Sequence, residues 1–347
     1  MRVSRRVFGS LATSIAILVL ALGVAACGDD DDGGGGGGGG GGEGGGEART
    51  IAVNMYTADN PYFQEMLTGI EAKAKEFGWE VQATFGNADP TEQVNQIQNA
   101  IATQPDALIV VPIDEEASVP PIRQAAEADI PVFSMGDNLG EEGQEVQVAY
   151  VGADYEEVGV MKAEFIAEQL GEKGGTVGII HGIRGLNFTE AGARGAESVF
   201  DEISQIELID GPYTGAFASD VGLEATENML TRNPNFDAFY FDNDSIAIGG
   251  IQAIEERGIS HNDIITTGTD GTPAAIEAVE KGTLDYTIHL CGVGQGTTAM
   301  EAIRDYLEND TEPEKIVTTE SFELTPDNVK EQLPKLESDC GYSGGGE

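Results

Sequence analysis

The sequence predicts an α/β protein of two doubly wound parallel-sheet lobes. From Thr50 onward, short apolar runs rich in β-branched residues alternate with stretches of helical periodicity. That is βαβ repetition, which implies parallel strands with helices on both faces of a sheet. The alternation restarts midway and gives more strand-like runs than one open sheet holds easily, so it divides into two sheets. No Pro/Gly-rich linker interrupts it near 150–155, so ordered strands are expected to join the halves.

Ile51-Ala52-Val53 reads as the first strand. Tyr62 to Phe77 reads as a helix, because Phe63, Met66, Leu67, Ile70 and Ala74 recur at three- and four-residue steps. Gly78 ends it. Strands follow near Val81, Ala107 to Val111, Pro131 to Phe133 and Val148 to Val151, separated by helices over Glu92 to Ala102 and Ala117 to Ala128. The second half places strands near Thr176 to Ile180, Glu207 to Ile209, Ala238 to Tyr240, Asp263 to Thr266 and Leu284 to Leu290, again with helices between.

Residues ahead of this part have a different character. Arg2, Arg5 and Arg6 precede a mostly apolar run that ends in Val24-Ala25-Ala26-Cys27, the three-part layout of a secretory signal over 1–26. The run is short for a membrane span, which needs about 20 residues. Small residues before Cys27 resemble a bacterial lipobox, in which the Cys thiol receives a lipid. Ser4-Arg5-Arg6-Val7-Phe8 resembles a twin-arginine export signal, and the route, general or twin-arginine, stays open. Asp29 to Asp32 and the Gly run after it complete a flexible tether over 27–49, where no side chain offsets the cost of ordering the backbone. The tail, 341–347, is expected to fray.

Among 347 residues, 61 acidic and 18 basic side chains give a net charge of −43, which leaves no basic excess for phosphate and argues against nucleic acid as a partner. With Cys27 assigned to lipid, Cys291 and Cys340 remain, either paired, as an oxidising compartment allows, or as two separate buried thiols. Three His and no CxxC exclude a zinc site by spacing. GxGxxG after the first strand, GxxxxGK[ST] and HExxH are all missing, so neither an enzyme nor a cofactor is implied.

Ligands of open parallel sheets bind beyond the carboxyl ends of strands. The residues there are Asp59-Asn60-Pro61-Tyr62-Phe63, Pro112-Ile113-Asp114, Gly136-Asp137-Asn138, His181 to Asn187, Phe217, Asp242-Asn243-Asp244 and Asp270-Gly271-Thr272-Pro273. Carboxylates and amides offer acceptors and donors to hydroxyls, and aromatic faces pack on C–H patches or attract cations. The set suits a small polyhydroxylated or amine-bearing molecule. Taken singly, Asn60, Asn243, Asp244 and Asp270 read equally as helix caps, and Tyr62 and Phe63 as core. Their recurrence at strand ends is what favours a site.

These strand-end residues resemble the ribose-binding-protein branch of the type I periplasmic binding proteins, over roughly Thr50 to Asp327. The sharpest pieces are Asn60-Pro61-Tyr62-Phe63, Ile130-Pro131-Val132 leading to Asp137, Pro234 through Asp242-Asn243-Asp244, and Gly268-Thr269-Asp270-Gly271-Thr272-Pro273. LacI-type repressors share the fold, but this chain has an export signal where they carry a helix-turn-helix. The resemblance implies three hinge crossings between an N-terminal lobe, 50–152 plus 291–319, and a C-terminal lobe, 153–290 plus 320–340, with the ligand clamped between. By position, Asn60 would bond a ligand hydroxyl, Tyr62 and Phe63 would flank its ring, and Phe217 would face them from the other lobe. Asn243 and Asp270 fall on the polar clamp, and Asp137 one residue beyond the usual Asp, where Gly136 stands. Glu190 replaces the family's usual Arg and Leu290 its Gln. Arg184 and His289 are the residues placed to substitute, and the change puts ribose itself in doubt.

The function implied is capture of a small sugar or polyol by a monomeric lipoprotein at the outer face of the cytoplasmic membrane, for ABC permease subunits with a cytoplasmic ATPase. A sensor subunit feeding a chemoreceptor or membrane kinase is the alternative, and the sequence does not separate the two.

Overall fold

A computed structural model describes residues 48–58 and 60–342. The expected export signal, Cys27, the expected tether up to Glu47, Asp59 and 343–347 lie outside them, whereas Arg49, assigned to the tether, pairs with Asp106 at 3.2 Å and its carbonyl accepts the Glu80 N–H. Along the chain come β1 (Thr50–Met55), α1 (Pro61–Phe77), β2 (Glu80–Phe85), α2 (Pro90–Ala102), β3 (Ala107–Val110), α3 (Glu115–Glu127), β4 (Val132–Met135), α4 (Gly140–Val146) and β5 (Ala149–Gly152). Then follow α5 (Tyr155–Leu170), β6 (Gly175–His181), α6 (Asn187–Phe200), β7 (Ile206–Tyr213), α7 (Ser219–Arg232), β8 (Ala238–Phe241), α8 (Asp244–Glu256), β9 (Ile265–Thr267), α9 (Pro273–Lys281) and β10 (Thr287–His289). The last elements are α10 (Gly292–Asn309), β11 (Ile316–Thr318), β12 (Phe322–Leu324) and α11 (Val329–Asp339).

Two parallel sheets result, one in the order β11-β5-β4-β3-β1-β2 and one in the order β7-β6-β8-β9. Their central strands are buried along their whole length, as in Ala107–Val110 and Ala238–Phe241, because helices cover both faces. The strand order reverses between β1 and β3 in the first sheet and between β6 and β8 in the second. At such switch points neighbouring crossover helices leave in opposite directions and open a crevice.

The chain passes between the sheets three times: from β5 into α5, from β10 into α10, and from β11 to β12. At the second passage Cys291 is disulfide-bonded to Cys340, with Cα atoms 4.9 Å apart, which ties the start of α10 to the end of α11. Just beyond, α10 lies against α1 with a glycine at each of two close backbone approaches. A Cβ on Gly69 would stand 2.1 Å from the Val293 carbonyl oxygen, and one on Gly296 2.2 Å from that of Met66.

The two parallel-sheet lobes stand as expected, and the second carries an addition: β10 joins its sheet through bridges Thr267 to Tyr286 and Asp270 to His289, and pairs antiparallel with β12. Several finer expectations are corrected. The run Leu284 to Leu290 forms a strand only over Thr287–His289. Helices α1, α2 and α3 begin one or two residues before the expected starts, each after a capping side chain on Asn60, Asp89 or Asp114. Tyr342, assigned to a fraying tail, is buried, and its backbone N–H donates to the Leu336 carbonyl.

Candidate functional site

A cavity of about 430 Å³, its mouth included, opens between the two sheets. Its lining comes from residues just past the strands that flank both switch points: Tyr56, Asn60, Tyr62 and Phe63 after β1, Val111 and Pro112 after β3, Leu186 and Phe188 after β6, and Asn243 after β8. Gly136, Asp137, Tyr155, Phe217 and Asp270 complete it.

Asn60 and Asn243 each serve two purposes. Oδ1 of Asn60 accepts the Tyr62 N–H at 2.9 Å and caps α1, so its amide N–H groups are what it can present to the cavity. Oδ1 of Asn243 caps α8 by accepting the Ile246 N–H at 3.1 Å, while Nδ2 donates to Asp270 Oδ2 at 3.0 Å. The alternatives of cap and site residue are therefore not exclusive. Asp270 has φ 109°, in the left-handed half of the map, and the loop is held there by Asp244. That carboxylate accepts from Thr272 N–H at 2.7 Å and Thr287 Oγ1 at 2.6 Å.

Burial pushes the Asp270 carboxyl well above the usual range, and the Asp244 charge adds to this. Beneath it, Lys162 is fully buried and donates to Phe241 O at 2.6 Å, Thr269 Oγ1 at 2.9 Å and Asp242 O at 3.2 Å. Burial lowers its ammonium to about 7, opposed by Asp242, Asp244 and Asp270. The lysine thus joins the carboxyl end of β8 to the loop after β9, which carry Asn243 and Asp270.

On the first lobe, Asp137 Oδ1 accepts from the N–H groups of Asn138 at 2.8 Å and Phe188 at 3.2 Å. The second bond crosses between the lobes. Glu115 Oε1 crosses beside it to the Asn187 N–H at 2.8 Å, and the Tyr155 hydroxyl donates to the Gly136 carbonyl. Helix α6 receives no side-chain cap from its own Leu186. Carboxylates of the facing lobe cap it instead. Burial raises the carboxyl of Asp137 well above its usual range, with Glu115 adding to it, and burial raises Glu115 to about 6.

Aromatic rings form much of the remaining wall. Tyr56 stacks on Phe63 with centroids 5.2 Å apart, and Phe188 stands edge-on to Tyr155 at 4.9 Å and to Phe217 at 5.5 Å. The Tyr62 hydroxyl donates to Gln295 Oε1 at 2.9 Å, which locks that ring.

Of the residues singled out in the sequence, the cavity brings together Asn60, Tyr62, Phe63, Asp137, Phe217, Asn243 and Asp270. It does not bring in Arg184, Glu190 or His289. Arg184 is exposed and lies over the Tyr213 ring at 3.8 Å. Glu190 turns back to accept the Gly185 N–H at 2.9 Å and the Tyr213 hydroxyl at 3.1 Å. Neither Glu190 nor Arg184 is among the residues lining the cavity. His289 is buried behind the Asp270 loop, with Nδ1 3.1 Å from the Gly271 carbonyl oxygen, and burial lowers its pKa. Tyr56, Tyr155 and Phe188 also line the cavity and were missed, and Leu186, which lines it too, lay within the stretch that was read without being singled out. Tyr56 and Tyr155 closely follow β1 and β5, so reading every strand end finds them. Phe188 lies one residue beyond the loop stretch, His181 to Asn187, that was read.

A two-sheet fold with a crevice-spanning cavity defines the class of two-lobed ligand-binding proteins. The chain belongs to the family described as "Periplasmic binding protein domain", whose sequence profile matches residues 51–311. It is 30% identical over 258 residues to the ribose import binding protein of Bacillus subtilis, covering 74% of this chain and 81% of that protein. To the D-allose-binding periplasmic protein of Escherichia coli it is 31% identical over 265 residues, covering 74% and 84%. A crystal structure described as a periplasmic ribose ABC transporter from Conexibacter woesei superposes with a TM-score of 0.78 at 36% identity, covering 85% of this chain and 98% of the other.

Proposed function

We propose that this protein is the solute-capturing lipoprotein of an ABC importer. Its lobes close on a small sugar or polyol, and permease subunits driven by a cytoplasmic ATPase take the solute from the closed form. The observation that carries the reading is the cavity itself, lined by polar and aromatic strand-end residues of both lobes. A ligand held from two sides stabilises the closed arrangement over the open one, and that difference drives closure. The role is capture and release, and the ligand leaves chemically unchanged. The import-related names of the relatives support the sugar class. Cys27, followed by the Asp/Gly-rich segment, supports a lipid anchor at the outer face of the membrane, with the monomeric domain free to turn on its tether.

The test is mass spectrometry of the solute that co-purifies, followed by a thermal-shift panel of sugars and polyols and small-angle scattering with the best of them. Raised melting temperature together with compaction is expected. Unchanged dimensions at saturating solute would refute a closing clamp, and a chemically altered solute would refute a purely binding role. Metabolic labelling with a fatty acid should mark the wild type and not Cys27→Ala.

A further inference from the structure

We propose that the solute is a sugar or polyol carrying one protonated amine, and that the ammonium group pairs with Asp137. The inference rests on the solute-binding reading above and narrows its ligand class. Asp137 lines the cavity and is 5% exposed. Its Oδ1 is committed to two backbone N–H groups; the neutral Asn187 side chain acts on the carboxylate from across the lobe contact, but Oδ2 itself is buried and receives no hydrogen bond. No described residue lining the cavity is cationic.

The charges beyond the lining do not supply what Asp137 lacks. Its charged neighbour on the same lobe, Glu115, has the same sign. Arg194, which acts on Glu115, is more than half exposed and pairs with Glu156 at 3.5 Å. Lys162 is engaged under the other lobe, where its charge acts on Asp242, Asp244 and Asp270. Asp270 has a buried cation behind it, and among the described residues Asp137 has none.

A buried carboxylate without a counter-charge is costly, and it either binds a proton or acquires a partner. A neutral hydroxyl would give Oδ2 a hydrogen bond and leave the charge uncompensated. An ammonium group supplies both, and charge-assisted hydrogen bonds are the stronger kind. The surrounding wall suits a cation too. Tyr56, Phe63, Tyr155 and Phe188 offer ring faces and edges around the site, and ring faces attract ammonium groups. Tyr56 lines the same cavity as Asp137, and burial, with the Asp137 charge contributing, raises its hydroxyl to about 12. Asn60, Asn243 and Asp270 remain for the ligand's hydroxyls.

The experiment is titration calorimetry at pH 6.5 with matched probes: glucosamine and glucose, galactosamine and galactose, mannosamine and mannose, 1-amino-1-deoxysorbitol and sorbitol. The amine of at least one pair is expected to bind roughly tenfold or more tighter than its hydroxyl analogue, the range of a charged hydrogen bond. Asp137→Asn should bring that ratio to about one. Repeating the titrations in two buffers of different ionisation enthalpy gives a readout that does not depend on the variant. The amine should bind without proton uptake, and any neutral analogue that binds should bring a proton with it.

A neutral probe bound as tightly as its amine, a preference that survives Asp137→Asn, or proton uptake with the amine would each overturn the inference while leaving the solute-binding reading in place. Failure of every probe to bind would overturn both.

Discussion

Affinity and stability should respond in opposite senses to one substitution at Asp270. Asp270→Asn keeps the volume and suits φ 109°, which Asn tolerates better than Ala. It also keeps an acceptor for Asn243 Nδ2, now 3.0 Å from the carboxylate. What it removes is the charge. Hydrogen bonds to a charged group contribute roughly 1.5–3 kcal/mol, so affinity for the native solute should fall roughly 10- to 150-fold. Stability should move the other way. The folded-state pKa of Asp270 is raised by burial and by Asp244, so the folded form binds more protons than the unfolded one between the ordinary and the raised value. Its contribution therefore strengthens as pH falls through that window and is a net cost at neutral pH. Asp270→Asn removes that cost, so its melting temperature at pH 7 should equal or exceed that of the wild type, and it should gain less on acidification to pH 5. Calorimetry for affinity and thermal melts at the two pH values measure both arms. Wild-type affinity together with a lowered melting temperature would show that Asp270 holds its loop and not the solute.

Other expectations follow from the lobe contact, the corrected residues and the disulfide. Glu115→Ala removes the interlobe bond to Asn187 and should weaken binding about 2- to 30-fold, the worth of a helix cap. Unchanged affinity would show that α6 needs no cap from the facing lobe. Arg184→Ala and Glu190→Gln, both outside the cavity, should leave affinity within about twofold, as for surface changes, and a tenfold loss in either would return it to the pocket. The double variant Cys291→Ser/Cys340→Ser opens a cross-link spanning 49 residues. Chain entropy puts that at about 4 kcal/mol of unfolding free energy, to be read from denaturant titration. A loss below about 1 kcal/mol would mean that the unfolded chain is little constrained by the bridge.

The parts of the site legible in sequence are those in which local chemistry and position coincide. Asn60-Pro61 and Asn243-Asp244 each announce a helix start, and a helix start after a parallel strand lies at the crevice by topology. Side-chain direction is not written in that way. Glu190 and Arg184 belong to the correct loop and first turn, but Tyr213, on the neighbouring strand, draws both away from the cavity. Lys162 sits in a stretch that reads as an ordinary helix with charged positions, and its burial depends on the carbonyl groups of Phe241 and Asp242 some 80 positions further along the chain. Strands β11 and β12, of three residues each, are too short for periodicity to register, and the strand ladders beside them define them.

Closure and recognition share one side chain. Helices α1 and α8 are capped within their own lobes, so Asn60 and Asn243 are fixed before any solute arrives. Helix α6 has no such cap, and its first N–H groups meet acceptors only when Glu115 and Asp137 of the other lobe reach them. In an open form those N–H groups would face water and those carboxylates would be solvated. Closing exchanges both hydration shells for two interlobe hydrogen bonds, and it leaves Asp137 Oδ2 buried without a partner. The empty closed form is therefore penalised at the atom where a solute can bind. A solute donating to Oδ2 removes the penalty and leaves Oδ1 on the Phe188 N–H. A ligand that fits every other wall but offers no donor there would be expected to bind and yet leave the lobes open more of the time.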